Sequence, residues 1–171
     1  MIKQIIADEF NAQANREFYS AYLYLSMAGY FEQKNLNGFS NWMRVQAQEE
    51  LTHAMKFFDY ILERGGKTKL EAIDRPQTEW SSLLSAFEDA YKHELFISEN
   101  INRLTALAID EKDYAANNFL QWFVTEQVEE ESSVDNIVQK LRLVGDNGSG
   151  IFMIDNELAA RIFTPPAASN A

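Results

Sequence analysis

Apolar residues recur at alternating spacings of four and three along four long stretches of the chain, at about residues 5–34, 37–65, 79–109 and 113–144. This spacing places the apolar side chains on one face of a helix and is typical of helices packed in a bundle. A shorter stretch, at about residues 151–163, follows a glycine-rich break. No segment alternates long enough to predict a sheet. The pattern therefore predicts an all-α protein with four long helices and a short fifth, C-terminal helix.

The connections predict how these helices are arranged. Short turns join the first helix to the second and the third to the fourth, which predicts two antiparallel hairpins, and Asn37 is the predicted N-cap of the second helix. Lys67 to Gln77 is predicted to be an extended connection. About 13 extended residues reach roughly 43–47 Å, somewhat more than the roughly 40 Å length of a helix of about 27 residues. The connection can therefore cross the bundle, which makes the second and third helices parallel within a single domain, residues 1–171.

In each long helix, the line of residues that faces the bundle interior, called its seam here, is apolar at both ends and polar near its middle. The polar seam positions are Glu17 in the first helix, Gln46, Glu50 and His53 in the second, Glu94 in the third, and Gln127 and Glu130 in the fourth. Glu17 and His53 lie 18 positions on either side of Asn35, and the acids of the second hairpin flank Lys112 at the same distance. Both sets thus lie about 27 Å from their turns. The spacing predicts one interior cluster of four carboxylates and an imidazole.

Such a cluster has a structural and a functional interpretation. A single buried glutamate is often paired with a base, and for any one helix this alternative stays open. The same coincidence on four helices is much less probable, and no seam carries lysine or arginine near that level. Carboxylates without a counter-charge repel one another and take up protons, whereas a pair of divalent cations supplies the missing charge. The chain has no cysteine, and oxygen ligands with one imidazole suit iron or manganese.

The ligand spacing resembles the di-iron carboxylate pattern. That pattern takes one glutamate from each of two helices and a Glu-x-x-His motif from each of the other two. Glu17 and Glu94 are the single acids here, and Glu50 with His53 forms one motif. The fourth helix departs from the pattern, because residues 127–130 read Gln-Val-Glu-Glu.

With this departure the chain resembles the non-haem ferritins of the prokaryotic type over nearly its whole length. The resemblance is carried by Ala12–Glu17 (AQANRE), Gln48–Ala54 (QEELTHA) and Phe119–Gln127 (FLQWFVTEQ). It implies a ferritin-like four-helix bundle with a long crossover between the second and third helices and a short fifth helix. It also implies two iron ions per subunit, the first bound by Glu17, Glu50 and His53. Glu50 would bridge to the second ion, held by Glu94 and Glu130.

The resemblance assigns further roles to neighbouring residues. Gln127 lies beside the centre, as a hydrogen-bonding group rather than a strong ligand. Tyr24 would orient a ligating carboxylate and supply an electron, with plain core packing as the alternative. Trp122 matches a tryptophan near the site in similar ferritins, although a core aromatic needs no function. His93 lies about 100° around the helix from Glu94, and we interpret it as a surface or packing histidine.

Three acids next to the seam give a possible third iron site. Glu49, Glu126 and Glu129 each lie one step around their helices from a seam residue. Similar ferritins use acids at these positions for a third ion. The alternative is a solvated acidic face.

The function that the resemblance implies is iron storage with ferroxidase activity. Fe²⁺ would be oxidised by dioxygen or hydrogen peroxide, and ferric mineral would collect inside a homo-oligomeric shell of twenty-four subunits. A bacterioferritin would carry a haem-binding methionine and a second Glu-x-x-His where this chain has Leu51 and Glu130, so haem is not expected. The rival functions are those of a di-iron oxygenase or peroxidase and of a non-catalytic storage shell.

The charge and hydropathy of the chain limit the kinds of partner, such as nucleic acids or membranes, that it is expected to bind. A net charge of −11 argues against nucleic-acid binding and suits a surface that collects cations. No apolar run reaches the length of a membrane span, and the N-terminus lacks the apolar region of a signal peptide. We therefore expect a cytoplasmic protein, with a plastid location after removal of a transit peptide left open.

Overall fold

The computed structural model describes residues 1–165, so the last six residues of the predicted domain lie outside it. The helices are α1 (Gln4–Glu32), α2 (Asn37–Glu63), α3 (Leu83–Asp110), α4 (Tyr114–Val144) and α5 (Gly148–Leu158). The first four form the bundle, and α5 packs against α2 and α4. Residues 1–165 contain no strand, and none of their helices is long and apolar enough to cross a membrane. The predicted all-α class with a short fifth helix is confirmed.

Both hairpin turns reverse the chain in the same way. Asn35 in the first turn and Lys112 in the second adopt the left-handed conformation, with φ of 59° and 57°. In the first turn the Leu36 N–H donates to the Phe31 carbonyl at 3.1 Å, and the second turn repeats this pattern. These bonds satisfy carbonyl groups that a helix end leaves free. Because the two turns are alike, residues equidistant from them lie at matching heights.

The first two helices end two residues earlier than predicted, at Glu32 and Glu63 rather than at 34 and 65. The physical reason is the left-handed residue that follows each helix, Asn35 after α1 and Gly65 after α2. A residue in this conformation cannot continue a right-handed helix.

The crossover between α2 and α3 comprises residues 64–82 and runs along α1. Near the start of α1, the Asn11 amide donates to the Lys67 carbonyl at 3.0 Å. Near its end, the Tyr30 hydroxyl donates to the Trp80 carbonyl at 3.0 Å. The crossover therefore travels the length of the bundle, and α2 and α3 are parallel as predicted.

The third helix begins at Leu83 rather than at 79. Ser82 Oγ accepts a hydrogen bond from the Ser85 N–H at 3.0 Å, and Ser85 Oγ accepts one from the Ser82 N–H at 2.9 Å. This reciprocal capping box fixes the first turn. It leaves Trp80 and the residues before it in the crossover.

The fifth helix is shifted toward the N-terminus relative to its prediction. It begins at Gly148 rather than at 151 and ends at Leu158 rather than at 163. The start is set by Asn147, whose side chain accepts a hydrogen bond from the Gly150 N–H at 2.9 Å. Such a cap satisfies a free N–H of the first turn.

The N-terminus of α2 is capped by another helix. Asn37 is its first residue and not its N-cap, so that prediction is wrong, and Leu36 at the cap position offers no side-chain acceptor. Asp155 of α5 supplies the acceptor instead, because its Oδ1 receives the Gly38 N–H at 2.8 Å and the Phe39 N–H at 3.0 Å. The carboxylate also faces the positive end of the α2 dipole. This contact fixes α5 on the bundle.

Two apolar clusters flank a buried polar layer. Near the α1–α2 turn, Phe31 stacks on Phe39 at 5.3 Å between ring centroids, and Phe87 of α3 packs against both. At the opposite end, Phe57 stacks on Phe123 at 4.3 Å. Each buried phenylalanine contributes roughly 1.5–3 kcal/mol. The clusters therefore stabilise the bundle on both sides of the polar layer.

We expect Gly38→Ala to lower the free energy of unfolding by about 1–3 kcal/mol. A Cβ at Gly38 would lie 1.7 Å from the Asp155 carbonyl oxygen, so α5 must move. Gly148→Ala is the control, since a Cβ there meets nothing within 4 Å of the described residues. The control should be neutral or more stable by up to about 1 kcal/mol. Equal urea unfolding midpoints for the two variants would contradict the proposed role of the Gly38–Asp155 contact.

Candidate metal centre

The polar layer brings together the five predicted ligands. Their side chains are all buried, with residue exposures of 0% for Glu17, 1% for Glu50, 2% for His53, 1% for Glu94 and 6% for Glu130. One trio of ligand atoms within 4.8 Å of one another comes from Glu17, Glu50 and His53. A second trio comes from Glu50, Glu94 and Glu130. The two trios share Glu50, so the layer offers two adjacent positions for cations with one carboxylate between them.

Amide groups hold three of the carboxylates. Gln13 Nε2 donates to Glu17 Oε1 at 2.7 Å. Gln46 Nε2 donates to Glu50 Oε1 at 3.0 Å and to Glu130 Oε1 at 3.1 Å. Each bond uses one carboxylate oxygen, and amides add no charge. The carboxylates are therefore oriented without being neutralised.

The fourth carboxylate, Glu94, is held by two of the residues whose roles the sequence left open. The Tyr24 hydroxyl donates to Glu94 Oε1, and Gln127 Nε2 donates to Glu94 Oε2 at 3.2 Å. The same Gln127 amide nitrogen lies 3.3 Å from Ser98 Oγ. Gln127 thus makes hydrogen bonds here, and the fully buried Tyr24 combines core packing with a bond to a carboxylate.

Two buried oxygen atoms in the layer have no hydrogen-bond partner among residues 1–165, Glu17 Oε2 and Glu130 Oε2. A buried acceptor left unpaired costs about 1–3 kcal/mol. The two atoms belong to residues of different trios, Glu17 in the first and Glu130 in the second. One cation in each position would give both atoms a partner, so the residues fit a pair of oxygen-binding metal ions.

Burial changes the protonation of the cluster. It raises the pKa of Glu17 to about 8, reinforced by the charge of Glu50, and the pKa of Glu94 to about 8 for the same two reasons. Burial raises the pKa of Glu50 to about 7 and that of Glu130 well above its usual range. The metal-free cluster therefore retains protons near neutral pH, and bound cations would displace them.

The three acids predicted for a third site have separate surroundings. Glu126 joins His53 and Glu130 in another trio within 4.8 Å. Glu49 Oε2 instead accepts a hydrogen bond from Arg161 Nη2 at 2.5 Å, and Glu129 is exposed. Within residues 1–165, neither Glu49 nor Glu129 belongs to such a trio.

Arg161, like Gln13 and Ser98, lies near the centre and was not indicated by the sequence. It follows α5, 112 positions after Glu49, in a segment without helical periodicity. The one available signal is that Arg161 is the only basic residue after Gly145. That signal does not indicate which acid the arginine meets.

Trp122 and His93 lie at the edge of the layer. The Trp122 ring packs edge-on against His53 at 5.3 Å between ring centroids, and Lys56 Nζ lies 4.1 Å from the centroid of the Trp122 ring. His93 Nε2 lies 2.7 Å from Ser20 Oγ, and burial lowers the pKa of His93 to about 4. His93 belongs to no trio of ligand atoms in the described residues and packs as a neutral ring.

Known proteins are similar to this chain in both sequence and fold. The ferritin-like domain family matches residues 7–144. A bacterial non-heme ferritin from Bacteroides fragilis is 43% identical over 161 residues, which is 94% of this chain and all of that protein. A bacterial non-heme ferritin from Escherichia coli is 39% identical over 159 residues, covering 93% of this chain and 96% of that one.

Solved structures agree with these matches. An engineered closed form of the Archaeoglobus fulgidus ferritin superposes with a TM-score of 0.95 at 54% identity, covering 96% of this chain and 100% of that chain. An open pore ferritin from the same archaeon gives a TM-score of 0.93 at 53% identity, with 95% and 100% covered. Sequence and fold thus place the chain in the ferritin family, among the prokaryotic non-haem ferritins.

Proposed function

We propose that this iron-storage protein is a ferroxidase that oxidises Fe²⁺ in pairs inside each subunit. The observation that carries the proposal is the pair of ligand trios that share Glu50. A storage shell that only nucleated mineral would need surface acids, not two adjoining buried sites. The buried oxygens without partners, one on a residue of each trio, further support occupation by cations.

In this proposal Fe²⁺ is the substrate. Glu17, Glu50 and His53 bind one ion, and Glu50 with Glu94 and Glu130 binds the second. Each ion gives up one electron. Together the two electrons and two protons reduce dioxygen to hydrogen peroxide, or hydrogen peroxide to water. The protein supplies position and charge, and the redox chemistry belongs to the iron.

Two hydrogen-bond donors prepare the second position. Tyr24 and Gln127 each donate a hydrogen bond to one oxygen of Glu94 and so fix the orientation of its carboxylate. Preorganised ligands let the ions bind at the separation that the reaction needs. Donation of an electron by Tyr24 is a further part of the proposal.

A third position would lie beside the pair. Of the three acids predicted for it, Glu126 is favoured, because it shares a trio with His53 and Glu130. Glu49 and Glu129 would join only after their side chains move, and Glu49 would have to leave Arg161.

The assembly in the proposal is a homo-oligomeric shell of twenty-four subunits. The outer face of α1 and α2 supports association, because it exposes large apolar side chains. Tyr22, Leu25 and Leu51 are 52%, 48% and 48% exposed around one groove. Apolar patches of this kind mark protein–protein contacts.

Anaerobic Fe²⁺ soaks should give two anomalous peaks per subunit, one on each side of Glu50. Aerobic addition of Fe²⁺ should then produce rapid oxidation and a mineral-filled shell. A single peak, or a peak bound through His93, would contradict the two-ion centre. Two peaks with no accelerated oxidation would instead identify a storage shell without ferroxidase activity.

We expect Glu130→Gln to slow rapid iron oxidation by at least about tenfold. The change removes a charged ligand of the second ion but keeps the side-chain volume and an acceptor for Gln46. The metal-free variant should melt no lower than the parent, because a neutral amide replaces a carboxyl group that the buried layer must keep protonated. Glu99→Gln, at an exposed position on α3, is the control and should change neither property. A structural Glu130 would give the reverse result, with unchanged oxidation and a lower melting temperature.

Metal-free protein should lose stability as the pH rises. Glu17 and Glu94 have a folded pKa of about 8, against an ordinary value of 4.5. Between these values the unfolded chain releases protons that the folded protein keeps. The contribution that protonated Glu17 and Glu94 make to the free energy of unfolding is therefore complete below about pH 4.5 and is lost as the pH rises through about 8.

Calorimetry of chelator-treated protein from pH 5 to 8 measures this loss. The decline in melting temperature should be smaller for Glu130→Gln than for the parent. It should be smaller again when Zn²⁺ occupies the parent protein, since the ions supply the positive charge. A parent that declines no more steeply than Glu130→Gln would refute the repulsion argument.

A further inference from the structure

A single arginine from beyond α5 lies against the α2 face that leads to the metal centre. Arg161 Nη2 donates to Gln46 Oε1 at 2.9 Å and to Glu49 Oε2 at 2.5 Å. Its guanidinium carbon lies 4.4 Å from the centroid of the Trp42 ring. Positions 42, 46 and 49 form one stripe of a helix, so one planar guanidinium contacts all three side chains.

The backbone that carries Arg161 is fixed to the same helix. Asn41 Nδ2 donates to the Leu158 carbonyl at 3.2 Å and to the Arg161 carbonyl at 3.0 Å. Asp155, one turn earlier in α5, caps the N-terminus of α2. The Arg161 side chain therefore extends from an anchored segment, and only 24% of its surface is exposed.

The arginine determines which way the Gln46 amide points. Arginine can only donate hydrogen bonds, so it must meet the amide oxygen. The amide nitrogen then faces the centre, where it donates to Glu50 Oε1 and Glu130 Oε1. A flipped amide would place its NH₂ group against the guanidinium and its oxygen against two carboxylates. The first contact would be repulsive, and the second would lose the two hydrogen bonds that Gln46 donates to Glu50 and Glu130.

We propose that Arg161 is a positioning residue for the di-iron centre, acting through Gln46 on Glu50 and Glu130. The proposal rests on the ferroxidase centre described above and adds a link from the C-terminal segment to it. By orienting Gln46, Arg161 keeps one oxygen of each carboxylate bonded to the amide. Oε2 of Glu130, which has no partner within residues 1–165, then remains available to the second ion.

The charge of Arg161 is separated from the ions by the Gln46 amide. A guanidinium bonded directly to Glu50 or Glu130 would compete with a cation for the carboxylate. Relayed through a neutral amide, it orients the ligands without replacing the metal. Outer residues that orient metal ligands typically contribute 10–100-fold to metal affinity.

Titration calorimetry with Zn²⁺, a redox-inert probe, tests the proposal in the assembled protein. The parent should bind two ions per subunit. Arg161→Gln should weaken the weaker binding step by about tenfold, and anomalous scattering at the zinc edge should show the loss at the position between Glu94 and Glu130. Arg161→Lys should recover part of the affinity, because an ammonium can still donate to Gln46.

Two controls separate positioning from docking of α5. Lys140→Gln removes the α4–α5 ion pair between Lys140 Nζ and Glu157 Oε1, 2.5 Å apart, and leaves Gln46 untouched, so it should bind zinc like the parent. The double variant Gln46→Leu/Arg161→Gln should be no weaker than Gln46→Leu alone, because both changes break one chain of contacts.

The outcomes distinguish this proposal from the proposed function. A parent that binds fewer than two zinc ions per subunit would overturn the two-metal centre itself. A parent with two ions and an Arg161→Gln variant of equal affinity would overturn only the role of Arg161. Equal losses in Arg161→Gln and Lys140→Gln, or fully additive effects of the Gln46 and Arg161 changes, would also overturn that role.

Discussion

The constraint on which the rest of the structure depends is a layer of four buried carboxylates at one level of the bundle, to which no lysine or arginine of residues 1–165 bonds directly. Burial and mutual repulsion both raise their pKa values, so the layer weakens the metal-free fold instead of stabilising it. The stability must come from elsewhere. It comes from the phenylalanine-rich clusters on either side of the layer. The apolar ends therefore stabilise the bundle, and its polar middle lowers the stability of the metal-free fold.

The scaffold brings the carboxylates to one level by repeating one turn. Asn35 and Lys112 adopt nearly the same left-handed conformation, and both hairpins reverse by the same hydrogen bonds. The crossover then aligns the hairpins by running along α1 from Asn11 to Tyr30. Equal turns and a crossover of matching length make the heights of four side chains agree across the bundle.

Neutral groups hold the predicted ligands, and charged groups lie one step farther out, where Arg16 Nη1 donates to Gln13 Oε1 at 3.1 Å. Gln13, Gln46 and Gln127 each donate to a carboxylate oxygen without cancelling its charge. Arg161 contacts the Gln46 amide and Glu49. In the proposed ferroxidase this order suits a centre that binds Fe²⁺ and later releases Fe³⁺, because an inner guanidinium would occupy the carboxylates permanently.

The sequence by itself was sufficient to predict the helices, their topology and the meeting of the five residues proposed as ligands. Helical periodicity reports which face of each helix is buried, and distance from a turn reports height, so Glu17 and His53 could be placed from spacing alone. Contacts between segments that are distant in the chain produce no periodic pattern in the sequence. The capping of α2 by Asp155, the shifted start of α5 and the position of Arg161 all depend on how α5 packs.

The tertiary structure also decided between acids that look alike in the sequence. Glu49 and Glu126 both lie one step from a seam residue, yet one pairs with arginine and the other faces His53. The sequence shows that both residues are acids, whereas their partners lie in distant segments, 112 positions away for Glu49 and at position 53 for Glu126. Spacing could therefore predict the centre, and only packing could assign the residues around it.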